Sequence, residues 1–251
     1  MVNTYTITVK NQSGSLRTYS LFNRAPVVQG NVQGKVWSNV FASKSVPNGA
    51  TVTFKVTNKY YAIVGSSDGQ PGDQVEVSVV GDREVTLGSR HSGGQVVPGT
   101  SLEVIVADNT PMFSDNKLPN SSEDDAFEIR TGHFTNKEAE QGMPQPSILF
   151  FDTALIETTN KPRCIGKYMI GYGISSGAGL QGALASFCPA PNQSYQIKPV
   201  NTFYVNPSKL TPGSLIDVGL ADTSAVVDFI SLPDEVTIVH DSYDRLTVLS
   251  D

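Results

Sequence analysis

The strongest constraint in this chain is a two-residue alternation of apolar and polar side chains, repeated in short runs between turn residues. Tyr5-Thr6-Ile7-Thr8-Val9-Lys10 alternates and stops at Asn11-Gln12-Ser13-Gly14, and Thr51 to Thr57 alternates after Pro47-Asn48-Gly49. Gln74 to Val79 does so before Gly81-Asp82, and Leu102 to Val106 follows Pro98-Gly99. Successive side chains of a strand point to opposite faces, so each run puts one face in a core and one in water. Glu235 to His240 and Arg245 to Leu249 flank Asp241-Ser242-Tyr243-Asp244 and read as a closing hairpin. Helical spacing is weak. The best short candidates are 136–140 and 177–185, and the second holds too many glycines for a solvent-facing helix. Short strands with regular turn signals predict an all-β chain of sandwich or barrel type.

Internal similarity suggests how the strands are organised. Pro98-Gly99-Thr100-Ser101-Leu102-Glu103-Val104-Ile105-Val106-Ala107-Asp108 aligns without a gap to Pro212-Gly213-Ser214-Leu215-Ile216-Asp217-Val218-Gly219-Leu220-Ala221-Asp222. Upstream, Lys59-Tyr60 with Gly65-Ser66-Ser67-Asp68-Gly69 parallels Lys167-Tyr168 with Gly173-Ile174-Ser175-Ser176-Gly177. The expected architecture is two related antiparallel β-sandwich or barrel units packed side by side, 1–113 and 126–251. The polar, acidic stretch 114–125 joins them as a loop or linker, a mobile surface segment placed to line a cleft between the units. Ala126 to Arg130 is a further predicted strand.

Charge narrows the function. The net charge is −6, and Lys and Arg form no cluster, so neither a nucleic-acid backbone nor an anionic membrane surface is an expected partner. No apolar run is long enough for a spanning helix. Met1 leads directly into a strand pattern with no basic or apolar leader, which predicts a cytoplasmic protein. Two cysteines, Cys164 and Cys188, are too few for a disulfide framework; they read as one bridge in an oxidising compartment or as buried, inert thiols in the cytosol.

The chemistry-bearing motifs are mostly absent. His91, His133 and His240 are far apart, and Ser122-Glu123-Asp124-Asp125 lacks calcium-loop spacing, so no metal site is expected. The pattern Gly-x-Ser-x-Gly occurs at Gly65 to Gly69 and at Gly173 to Gly177. A nucleophile elbow needs a strand turning into a helix, and both matches fall at one place in the two repeats. They read as repeated glycine-serine turns, with Ser175, Asp217 or Asp222, and His240 as a minor hydrolase alternative. Cys164 lacks a local base to form thiolate. The glycine-rich stretches lack the Walker lysine and the βαβ setting of a nucleotide site. No cofactor is expected.

Tyr5 to Gly14, Leu21-Phe22-Asn23 with Pro26, Val36-Trp37-Ser38-Asn39-Val40 and Tyr60-Tyr61-Ala62 resemble a set of small fungal β-rich proteins of mostly unknown function. Some such proteins act as hetero-Diels–Alderases in fungal tropolone-sesquiterpenoid pathways, and the chain is similar to those. The resemblance covers mainly the first 65 residues and rests on strand and turn residues. It implies a cofactor-free, stereoselective cycloaddition of an apolar terpenoid in secondary metabolism. Such catalysis needs an apolar cavity holding both partners in a reactive pose, and a donor aimed at the oxygen that gains charge. By position the candidate catalytic residues are Tyr61, Arg130, His133, Arg163 and Tyr168. The candidate ligand-binding residues are Trp37, Tyr60, Phe150 and Tyr172.

Three readings follow. The first is a cofactor-independent cyclase with an apolar small-molecule substrate. The second is a non-enzymatic, lectin-like carbohydrate-binding protein that stacks a sugar on an aromatic such as Trp37. The third is a self-assembling β protein, a homo-oligomer built on exposed sheet edges. An enclosed apolar cavity with convergent donors favours the first, and a shallow polar site floored by an aromatic favours the second.

Overall fold

The protein is nearly all β in a computed structural model that describes residues 3–91, 94–135, 138, 167–175 and 179–249. Phe150, Arg163 and Cys164 lie outside the described residues, as does all but Glu138 of the 136–140 helix candidate. The N-terminal strands are β1 (Thr4–Asn11), β2 (Arg17–Asn23), β3 (Val27–Gln29), β4 (Val32–Val46), β5 (Thr51–Thr57), β6 (Tyr60–Ser67) and β7 (Val77–Val85). Next come β8 (Ser89–Arg90), β9 (Val96–Val97), β10 (Ser101–Ala107), β11 (Thr110–Phe113) and β12 (Phe127–Thr131). The last are β13 (Tyr168–Ser175), β14 (Leu180–Pro189), β15 (Ser194–Lys198), β16 (Thr202–Asn206), β17 (Leu215–Ile216), β18 (Ala225–Asp228), β19 (Glu235–His240) and β20 (Leu246–Leu249). A short 3-10 turn at Val218–Thr223 follows β17.

The main layer is a nine-stranded sheet with the order β18-β16-β2-β4-β14-β13-β6-β7, and β17 pairs with β4 beside it. Two smaller sheets, β20-β19-β1-β5 and β11-β10-β12-β15-β3, complete a sandwich-like fold. One buried cluster draws Ile7 and Phe54 from one small sheet, Phe127 and Tyr195 from the other, and Tyr172 and Phe203 from the large sheet. The predicted alternation is visible in β1, whose Tyr5, Ile7 and Val9 are buried while Thr6 and Thr8 are partly exposed. The Glu235–Leu249 hairpin forms as predicted, with Ile238 opposite Val248.

The boundary expected at 114–125 does not divide the sheets. β1 pairs in parallel with β19, β10 in parallel with β12, and β4 antiparallel with β14. Strands from both sides of 114–125 therefore share every large sheet, and two side-by-side units do not describe this topology. Nor is 114–125 a tether between bodies. Ser122 is 3% exposed and accepts the Gly99 amide, and the Glu123 amide donates to Gln196.

The internal similarity has a local counterpart. β6 and β13 pair antiparallel with Ile63 opposite Gly171, and each continues into its hairpin partner, β7 or β14. The order β14-β13-β6-β7 thus sets Tyr60 and Tyr168 at equivalent strand starts. The other aligned pair diverges, because Ser101–Ala107 is one continuous strand whereas Leu215–Thr223 is a two-residue strand and a 3-10 turn. Of the 177–185 helix candidate, residues 180–185 are strand, part of β14. In the neighbouring strand β13, a Cβ at Gly171 or Gly173 would collide with the carbonyl oxygens of Ala185 or Gly182, so only glycine allows this approach.

Candidate functional site: the Trp37 cleft

The register between β4 and β14 breaks at one place. Trp37 faces Ser186 and Gln33 faces Cys188, so Phe187 alone opposes Gly34, Lys35 and Val36. The extra residues bulge out of the ladder, and Gly34 turns the chain at φ +88°. Bulges re-aim side chains and gather near functional sites. Here Val36 packs on the main core while Trp37 packs on an outer cluster with Met169, Cys188 and Leu215.

Trp37 borders an open cleft of about 570 Å³, a size that suits a small ligand. Gln33, Gly34 and Lys35 line it from the bulge, Gln70 and Pro71 from the turn after β6, Lys167 from the start of β13, and Cys188 from β14. Hydrogen bonds hold that turn in place. Gln74, at φ 61°, donates its amide to Leu215, and the Asp217 amide donates to Asp73 Oδ1. Lys35 Nζ lies 3.8 Å from the Trp37 ring centroid and 2.8 Å from Asp217 Oδ2. The two side chains of that ion pair are 44% and 59% exposed, so the pair is weak and exchangeable. Burial pushes the Cys188 thiol up to about 11 although Lys167 pulls the other way. The sulfur sits 3.5 Å from Met169 Sδ as a protonated thiol, not a nucleophile.

Among the described residues, the other predicted site residues do not converge on this cleft. Tyr60 and Tyr172 face the core with ring centroids 6.1 Å apart. Their hydroxyls donate to Asn201 Oδ1 at 3.0 Å and to Asn23 Oδ1 at 2.6 Å. Burial raises the Tyr60 phenol to about 12 and the Tyr172 phenol further, so both remain neutral donors already committed to protein acceptors. Tyr61 points to the opposite face of β6 from Tyr60, beside Lys59. Tyr168 packs edge-on to Phe134 and donates to the Asn109 carbonyl, and burial raises its phenol. His133 is exposed.

Arg130 belongs to a separate cluster. Glu128, only 3% exposed, takes Arg130 Nε at 3.0 Å and the hydroxyls of Ser121 and Ser194. Burial alone would raise this carboxyl, but Arg130, Ser121, Ser194 and Ser101 together hold it down at about 2. The cluster ties 114–125 to β12 and β15. The hydrolase alternative is not assembled either. His240 binds the Tyr19 hydroxyl at 2.8 Å and Asp244 at 2.9 Å, while Asp217 holds Lys35.

Sequence reasoning picked out Trp37 and missed Gln33, Lys35, Gln70, Lys167 and Cys188. One signal was readable, since a glycine between Gln33 and Lys35 inside a strand marks a bulge. The remainder come from three other parts of the chain. Among the described residues no group of three His, Cys, Asp or Glu side chains could hold a metal ion, and no helix is long and apolar enough to cross a membrane. The fold thus defines a sandwich-like β protein with a bulge-built cleft at one face of its main sheet. No known family, characterised protein or solved structure matches the chain.

Proposed function

We propose that this protein is a non-enzymatic, lectin-like binding protein that seats a saccharide ring in the Trp37 cleft. The observation that carries the reading is Trp37 itself, held at an open cleft of about 570 Å³ that Gln33, Lys35, Gln70 and Lys167 also line. An indole offers a large, stiff apolar body for the C–H face of a sugar. The side-chain amides of Gln33 and Gln70 carry donors and acceptors suited to its hydroxyls. The cyclase reading has less support. Four of its described candidates, Tyr60, Tyr168, Tyr172 and Arg130, direct their polar atoms at protein partners.

Trp37 is the only tryptophan, so its emission reports the cleft directly. Titration with a panel of neutral and acidic oligosaccharides should give a saturable change in that emission for at least one member. By calorimetry Trp37→Ala should lose binding by at least about tenfold, while Tyr172→Phe keeps it. A Trp37→Ala variant that binds as tightly as wild type would sink this reading.

A further inference from the structure

Building on that reading, we infer that the cleft selects an anionic saccharide, a uronate or a sulfated sugar, and that Lys35 and Lys167 supply the selectivity. The ammonium of Lys35 occupies the space a stacked ring needs, 3.8 Å above Trp37. A sugar that stacks must move Lys35 off the indole, and the displacement also strains its 2.8 Å contact with Asp217. A cation taken from a ring face and a carboxylate loses both interactions. A neutral sugar replaces neither with a charge. A ligand carrying its own anion does, and so takes over the role of Asp217.

The second cationic side chain on the same cleft, Lys167, strengthens the case. This chain has a net charge of −6, and its Lys and Arg side chains are scattered in sequence. Folding brings Lys35 and Lys167 to one 570 Å³ cleft from opposite halves of the chain. Two lysines beside an indole form a site for a ring with a negative substituent. Of the acids beside the cleft, Asp217 holds Lys35 Nζ and Asp73 accepts the Asp217 amide. Asp217 is therefore the group a ligand anion must displace.

The test compares oligogalacturonate, the matching neutral galacto-oligosaccharide and a sulfated galacto-oligosaccharide, read by Trp37 emission and calorimetry at low and high salt. The expected result is a Kd for one or both anionic probes at least about tenfold below that of the neutral one, with the gap narrowing as salt is added. The two anionic arms identify carboxylate or sulfate as the group recognised. Lys35→Gln and Lys167→Gln should each shrink the preference several-fold and spare neutral binding. Asp217→Asn should tighten anionic binding, which a purely structural ion pair would not do.

Equal affinity for neutral and anionic probes overturns the selectivity while leaving the saccharide reading intact. So does a preference that survives in the Lys35→Gln, Lys167→Gln double variant. If none of the three probes perturbs Trp37 in the folded protein, the inference falls, and if the wider panel is silent as well, the saccharide reading falls with it.

Discussion

Glu128 and Lys35 are both charged side chains on strands, and both have an ionic partner, yet they stand in opposite circumstances. Glu128 is 3% exposed and is held by an arginine of its own strand and by serines from segments that must come together for the fold to close. Lys35 sits on a bulge, shares its ammonium between one carboxylate and one ring, and is exposed enough for water to replace either. A buried, fully bonded charge specifies structure, because removing any partner strands the rest without solvent. A loosely bonded charge at a cleft remains available for exchange with a ligand. Counting polar residues does not separate the two cases, but burial and partner number do.

The largest effect should come from breaking the buried cluster. Glu128→Ala should cost about 3 kcal/mol, read by urea unfolding, because it leaves Arg130 and the facing serines without their acceptor. An effect no larger than that of a surface substitution would erase the contrast with Lys35.

Acid should reproduce part of that loss. The carboxyl of Glu128 is held at about 2 against an ordinary 4.5. Its folded value is depressed, so its contribution is fully present above about pH 4.5 and is lost as pH falls towards 2. That contribution is on the order of 2–3 kcal/mol. Chemical denaturation at pH 6 and pH 3 should show a drop in wild type that is smaller in Glu128→Gln.

The tyrosine knot should give an intermediate result. Tyr172→Phe removes the donor to buried Asn23 and should destabilise by about 1–2 kcal/mol, with ligand affinity unchanged in calorimetry. A specific loss of ligand affinity there would return Tyr172 to the list of binding residues.

Smallest of all, Lys35→Gln should shift stability by no more than about 0.5 kcal/mol in thermal unfolding. That small shift, beside a clear change in anion selectivity, is the signature of a binding residue rather than a structural one.

Several elements were legible in the sequence because they are half-buried. β5 and β19 run over the residues whose alternation marks them, Thr51–Thr57 and Glu235–His240. β7 begins at Val77 rather than Gln74, because Gln74 and Val75 bond to Leu215 outside the strand ladder. β6 and β13 escape the alternation rule altogether, since all eight residues of each are buried. A strand covered on both faces has no polar side to display. The candidate site was legible only at Trp37.

What the sequence by itself determined is the β class, the closing hairpin and the absence of a basic or phosphate-binding signature, because those properties depend on neighbours a few residues apart. The tertiary structure alone decided that strands from both halves share every large sheet. It also decided that Arg130, Tyr60 and Tyr172 belong to buried bonds and that Lys35, Trp37, Lys167 and Cys188 meet at one cleft. Those outcomes follow from pairing between strands such as β4 and β14, about 150 residues apart in the chain. Register of that kind is fixed by the whole core and by the glycines that let backbones approach, and no local window of the sequence contains it.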